Sequence, residues 1–266
     1  MENKAFNVIR SIERLGVTDK GKKRAHARGR SYRAAVQLND AGRKLLGDMT
    51  HAFVRLSDAP PSTKYPAWTV SIKGLSLHFT GKKGAVNLVF VTFPYFPWVK
   101  ADSIVNLGTY AVALKEELDW QVKLNLWRKI LQTEHFHRHL GKFFLHFPLI
   151  TYRSNRKYSN LHYFATEQHD YVRFHVKYIG NDILLFAEYY DKPASIERIR
   201  RDAVIEQIGT VHLEERTDEV IPYFDVLQTG AHLKPLEDDE IIKLRHDMYR
   251  ISCERRLMER EEIKNE

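Results

Sequence analysis

One cysteine, Cys253, is all the chain contains. That excludes an internal disulfide framework and a thiolate zinc site, and it fits a reducing, cytoplasmic setting. Long uninterrupted apolar runs are lacking too. The longest, residues 85–99, carries Pro94 and Pro97 and alternates like strands, too broken for a membrane span. No basic start leads into an apolar run and a cleavage site; charge interrupts residues 1–15 every few positions, which speaks against a signal peptide. The patterns Gly-x4-Gly-Lys-Ser/Thr, Gly-x-Gly-x-x-Gly and Gly-x-Ser-x-Gly are missing. Their absence removes the usual sequence grounds for a nucleotide-hydrolysing or α/β-hydrolase enzyme, and no cofactor is expected. Acids are scarce at the front. Residues 1–34 hold ten Lys and Arg against three acids, +7 of the +8 carried by the whole chain.

What is present is a chain of 266 residues, 43% hydrophobic and 12% aromatic, enough to bury a core. A helix fits residues 4–15, where Phe6, Ile9 and Ile12 recur at helical spacing and Gly16 ends the run. A second is expected over 40–56, capped by Asn39 or Asp40. Residues 58–66, with Pro60, Pro61 and Pro66, read as a stiff connector between a basic arm (1–57) and a body (67–266). Period-two alternation follows at Trp68 to Ile72, Leu75 to Phe79 and Val86 to Phe90, with a hairpin turn over 80–84. A helical pattern spans 103–144, broken near Gly108 and Gly141. Strands are then expected over 161–165, 171–179 and 182–190, a helix over 194–208, and a long mixed-charge helix over 238–264. The fold class is α+β: mixed helices with two antiparallel strand groups, an N-terminal basic helix-hairpin arm and a long C-terminal helix.

The N-terminal order is a helix, Leu15-Gly16-Val17, a basic glycine-bearing hairpin, an apolar strand at 34–38 and a helix opening on Leu38-Asn39-Asp40. Over residues 4–46 this resembles the latter half of a winged helix-turn-helix domain. The resemblance implies a helix in the DNA major groove and a wing on the phosphate backbone. Arg10 and Arg14 would lie on the helix, with Lys22, Lys23, Arg24, His26, Arg28 and Arg30 as the wing. The family's preceding helices are absent from the order seen here.

Three other clusters carry possible chemistry. His135, His137 and His139, with His146 nearby, invite a metal reading, but no metal site is assigned because a further ligand is lacking. Arg128 and His135 resemble the Arg-x4–6-His motif of HEPN ribonucleases, which implies RNA cleavage with His135 or His139 as acid or base. Arg153, Arg156 and Lys157 alternate with Tyr152 and Tyr158, a mixture able to hold phosphates and stack on bases. Asp182 and Glu188 could belong to a metal-dependent nuclease, but the lysine expected two positions after Glu188 is Tyr190. The expected function is therefore nucleic-acid binding, DNA over RNA, through the basic arm. The rivals are a nuclease, or an interaction protein or homodimer assembled through the C-terminal helix. No membrane partner is expected.

Overall fold

A computed structural model describes residues 1–16, 18–60, 62–64, 72–82, 84–92, 98–138, 156–191, 203–218 and 224–265, without the side chain of Arg156. Its helices are α1 (Glu2–Leu15), α2 (Asp40–Leu46), α3 (Ala101–Glu116), α4 (Trp120–Gln132) and α5 (Glu240–Asn265), with a 3-10 turn at Thr133–Arg138. The strands are β1 (Gly29–Leu38), β2 (Met49–Asp58), β3 (Lys73–Gly81), β4 (Gly84–Val91), β5 (Arg156–Asn160), β6 (Phe164–Ala165), β7 (Tyr171–Ile179), β8 (Asp182–Tyr190), β9 (Val204–Thr217) and β10 (Lys234–Pro235).

The two expected strand groups are one sheet. Its order is β10-β6-β7-β5-β4-β3-β2-β1-β9-β8, and β8 also pairs with β7, so eight strands close into an antiparallel barrel with β6 and β10 appended. The α+β body with two separate strand groups and a helix-hairpin arm expected from the sequence is therefore, in the structure, one closed barrel flanked by helices. Closure leaves few unpaired edges, and alternate residues fill the interior. Val54, Leu75, Leu77, Phe79, Leu88, Phe90, Phe174, Val176 and Leu185 form that core. Strand β2 pairs with β3 across the proline-bearing connector.

Several element expectations change for physical reasons. The helix over 40–56 stops at Leu46, because Gly47 takes a φ of 82°. Ala52, Val54 and Leu56 then satisfy a period of two as well as they satisfied a helix, and barrel burial selects the strand. Residues 204–208, expected to end a helix, begin β9, where Ile208, Val211 and Leu213 point into the core. Gly108 does not break α3; it lets α1 approach, since a Cβ there would meet Ser11 Cβ at 3.0 Å. The break falls after Glu116, and Asp119 then caps α4 by accepting from Gln121 N at 2.7 Å.

Helices α1, α3 and α5 form a layer outside the barrel, joined through Ala5, Ile9, Ala101, Leu244 and Ile251. The orphan N–H groups at the start of α3 are met by carboxylates: Glu134 accepts from Val99 N at 2.8 Å and Lys100 N at 3.0 Å, and Glu240 accepts from Ala101 N at 2.9 Å. This helical layer forms one wall of the site described next.

Candidate active site

The outer surface of β2–β4 faces the helical layer across a cavity of about 280 Å³. Strand register decides which side chains reach it. Ser57 stands opposite Gly74, and Gly74 opposite Val91; one step along, Arg55, Ser76 and Val89 form the next row. Their neighbours Leu56, Leu75 and Phe90 belong to the barrel core, so these two rows face outward.

Above the first row sits His26. Its backbone has a φ of 58°, an uncommon conformation for a residue other than glycine. Three bonds hold it there: His26 N donates to Ala59 O at 3.1 Å, Arg55 Nη2 donates to His26 O at 2.7 Å, and Ser57 Oγ lies 3.0 Å from His26 Nδ1. Gly74 is part of the arrangement, since a Cβ there would meet Ser57 Oγ at 2.8 Å and His26 Cε1 at 2.9 Å. With Nδ1 engaged by Ser57, the other ring nitrogen is left for the cavity. Burial, followed by the positive charges of Arg55, Lys23 and Arg245, lowers the His26 pKa to about 3, so the imidazole is neutral at ordinary pH.

The opposite wall is α5, which presents Arg245, Met248, Tyr249, Ser252 and Arg256 to the cavity. Behind them runs a chain of polar contacts. Arg245 Nη2 donates to Tyr249 Oη at 2.7 Å, and Nη1 reaches His162 Nε2 at 2.6 Å. His162 Nδ1 lies 3.2 Å from Asp239 Oδ2. A guanidinium only donates, so His162 Nε2 accepts and Nδ1 carries the hydrogen that goes to Asp239. His162 is 2% exposed, and burial together with Arg245 lowers its pKa, in keeping with a neutral ring. Asp239 is itself fixed by capping α5, accepting from Ile241 N and Ile242 N, both at 2.9 Å. The tyrosine oxygen is thus oriented by a guanidinium that is itself held from behind.

The third part of the site is a crowd of cations. Burial, then Arg55 and Arg256, lowers the Lys23 pKa to about 7. Burial, then Arg256, lowers that of Arg55 to about 10, and Arg256 is also lowered, chiefly by burial. Gly29 gives Arg55 its place, since a Cβ there would meet the Arg55 Cζ at 2.6 Å. Three basic groups held this close raise a positive potential in this part of the cavity.

Most residues singled out from sequence are elsewhere. Arg24, a proposed wing cation, is 4% exposed and bridges Glu13 and Glu259. Arg14 pairs with Glu116 at 2.5 Å, Lys4 with Asp102 at 2.8 Å and Lys20 with Glu262 at 3.4 Å. Arg28 donates to Thr63 O, and Arg10 is exposed on α1. Arg128 lies exposed on α4, and His135 falls in the 3-10 turn with a φ of 58°. His139, His146 and Arg153, like the side chain of Arg156, lie outside the described residues. Lys157 bridges to Glu188 at 2.5 Å, and Glu188 also holds Arg173; Asp182 pairs with His212 at 2.7 Å. No group of three metal-ligating side chains occurs among the described residues. Of the proposed wing, Lys22, Lys23, Arg24, His26 and Arg30 border the cavity or the cleft beside it, Arg24 with its guanidinium already taken by Glu13 and Glu259. Sequence reading missed Arg55, Ser57, His162, Asp239, Arg245 and Tyr249. The available signal was the spacing of Arg245 and Tyr249, one helical turn apart on a helix that was itself foreseen.

No protein-family model matches the sequence, and no curated protein matches it. The structure is similar to that of a fungal catalase, with a TM-score of 0.68 at 14% identity over 89% of this chain and 59% of that one. It is similar to catalase A from Saccharomyces cerevisiae, with a TM-score of 0.68 at 12% identity over 89% of this chain and 61% of that one. The chain thus has a catalase-like barrel fold and spans about 60% of the length of the catalases it matches.

This likeness overturns the nucleic-acid reading, DNA included. The cations read as a phosphate-binding arm are largely neutralised by Glu13, Glu116, Asp102, Glu259 and Glu262, or face a cavity. Helix α5, expected to serve assembly, turns Ile241, Leu244, Ile251 and Cys253 into this molecule's own interior and leaves Leu257, Met258 and Ile263 exposed towards its end. No helix among the described residues is long and apolar enough to cross a membrane.

Proposed function

We propose that this protein is a haem enzyme that decomposes peroxides, as the catalases whose fold it shares do by name. One observation carries the reading: a single cavity brings together Tyr249, held by Arg245, the strained and neutral His26, and the cations Lys23, Arg55 and Arg256. These residues fit the group. In catalases the haem iron is held by a tyrosine oxygen, and Tyr249 offers one from the helical wall. The two carboxylates of a haem match the cation cluster, and Ile9, Ile12, Ile104, Phe224 and Met248 supply apolar contact for a macrocycle. Haem, when bound, supplies the redox chemistry that cleaves an O–O bond.

The chain's own residues do the remainder. Neutral His26 would take up the proton released by an entering hydrogen peroxide and return it to the departing oxygen as water, while a second hydrogen peroxide supplies the two electrons and leaves as dioxygen. Ser57 keeps the imidazole in one orientation while this happens. Arg245, anchored by His162 and Asp239, keeps Tyr249 in position. A cytoplasmic compartment, in line with the single cysteine, is part of the same proposal.

The test is reconstitution of the purified chain with haem. The expected result is one haem per chain, a tyrosine-ligated spectrum, and consumption of hydrogen peroxide with release of dioxygen that falls with His26→Ala. Failure to bind haem in a defined stoichiometry, or peroxide turnover indifferent to both His26→Ala and Tyr249→Phe, would overturn it.

A further inference from the structure

Beside the cavity lies a second concavity of about 250 Å³, which shares Lys23, Arg55 and Arg256 with the first. Its outer part is formed by Lys22, Arg30, Arg216 and Arg260, and the only acid lining it among the described residues is Asp218. The barrel makes this end. β1 runs antiparallel to β9 with Ser31 opposite Thr217, which brings Arg30 and Arg216 to the same end of the pair. From the other side α5 contributes Arg260, whose Nε donates to Gly21 O at 3.0 Å and so fixes the guanidinium over the turn that carries Lys22.

Charge decides what this concavity holds. Resting on the haem reading, the inner trio of Lys23, Arg55 and Arg256 is matched by the two haem carboxylates. Four outer cations then face one carboxylate, Asp218. Among the described residues no ion pair engages Lys22, Arg30 or Arg216, in contrast to Arg24, Arg14 and Lys20 of the same N-terminal stretch. Like charges gathered in a concave site focus a positive potential there, and arginines present forked donors suited to carboxylate and phosphate oxygens. We propose that Lys22, Arg30, Arg216 and Arg260 form a second anion site, at the edge of the haem cavity, that binds a small molecule through carboxylate or phosphate groups. A ligand there lies beside Lys23, Arg55 and Arg256 and away from His26, which makes it a companion of the peroxide and not the peroxide itself.

The experiment is calorimetric titration of the haem-loaded protein with citrate and, separately, with pyrophosphate, the stronger binder identifying the anionic group. The expected result is one site per chain. The double variant Arg30→Gln/Arg216→Gln weakens it at least tenfold, while Lys44→Gln, an exposed cation on α2, leaves it unchanged. The haem content of the double variant, read from its absorbance, stays at the wild-type value. Absence of binding by either anion, equal weakening by Lys44→Gln, or indifference to the double variant overturns the proposal. If the chain takes up no haem, the same titration runs on the haem-free protein. Dependence on Arg30 and Arg216 then upholds the anion site although the haem reading has failed, and dependence on Lys23 alone overturns it.

Discussion

Arg245 reaches Tyr249 and His162 with the two ends of one guanidinium, donating to the phenol oxygen at 2.7 Å and to the imidazole at 2.6 Å. The residue that fixes the tyrosine is therefore itself fixed from behind, through His162 to the Asp239 cap of α5. On the haem reading proposed above, removing Tyr249 and removing its support should have different consequences. Tyr249→Phe, which takes away the oxygen, should abolish the tyrosine-ligated spectrum and lower peroxide turnover by about 10³ or more. His162→Phe leaves the ligand in place and should cost about 10–100-fold in haem affinity or activity, the usual range for groups that orient a ligand. Absorbance titration beside turnover separates the two. Equal losses in both variants would count against the chain of support.

On the facing wall the order of effects follows the contacts of His26. A positioned general acid–base contributes about 10²–10⁴-fold, so His26→Ala should lower kcat/KM by that factor with little change in haem content. Ser57→Ala removes one bond to Nδ1, worth about 0.5–1.5 kcal/mol, and should cost a few-fold to about tenfold. Gly74→Ala should do more harm than Ser57→Ala despite being the smaller chemical change, because its Cβ would press on both Ser57 Oγ and the His26 ring. Steady-state kinetics on the three variants checks the ranking.

Part of this was legible in the sequence. The excess of positive charge near the N-terminus was legible, and Lys22, Lys23 and Arg30 line the two concavities. The nucleic-acid partner inferred from it was wrong, because Arg24, Arg14 and Lys20 are answered by Glu259, Glu116 and Glu262, partners up to 242 residues away that only the fold brings near. The hairpin of β3 and β4, the strands β7 and β8, and the helix α5 follow from local alternation and periodicity. Barrel closure does not, since it rests on β8 meeting β9 and β1 meeting β9, pairings between distant segments. The site escaped for the same reason. His26, Ser57 and Tyr249 lie on a turn, a strand and a helix, each unremarkable in its own stretch of chain.

Lys23 supplies a pH dependence of known sign. Its pKa in the unloaded protein is lowered to about 7, because burial and the neighbouring Arg55 and Arg256 disfavour the charged form. A bound carboxylate favours that form and raises the pKa, so loading takes up a proton above pH 7. Haem affinity should accordingly be greatest below pH 7 and weaken as pH rises through 7 towards 9. Lys23→Arg, charged throughout, should flatten the profile, and Lys23→Met should lower affinity at every pH. Haem titrations at pH 6, 7 and 8 decide it, and an affinity that rises with pH would exclude Lys23 from carboxylate binding.

The last prediction concerns stability away from the cavity. Glu188 is 1% exposed and accepts from Arg173 Nη2 at 2.5 Å and from Lys157 Nζ at 2.5 Å, with His175 Nδ1 at 2.7 Å. Burial by itself would raise the Glu188 pKa, but the bond to His175 and the charges of Arg173 and Lys157 outweigh it and hold the carboxyl well below its ordinary range. A depressed folded-state pKa means the contribution is complete above the unfolded value, about 4.3, and fades as pH falls below it. Glu188→Gln leaves Arg173 buried without its counter-charge and should cost about 3–5 kcal/mol at pH 7. The gap between wild type and variant should narrow as pH is lowered from 5 to 2. Replacing both partners, Glu188→Leu with Arg173→Met, should recover much of the loss, because no uncompensated charge is then left inside. Denaturant unfolding of the three proteins at pH 7 and pH 3 tests all of this. A Glu188→Gln penalty that is the same at both pH values would show that the carboxylate charge contributes nothing to the fold.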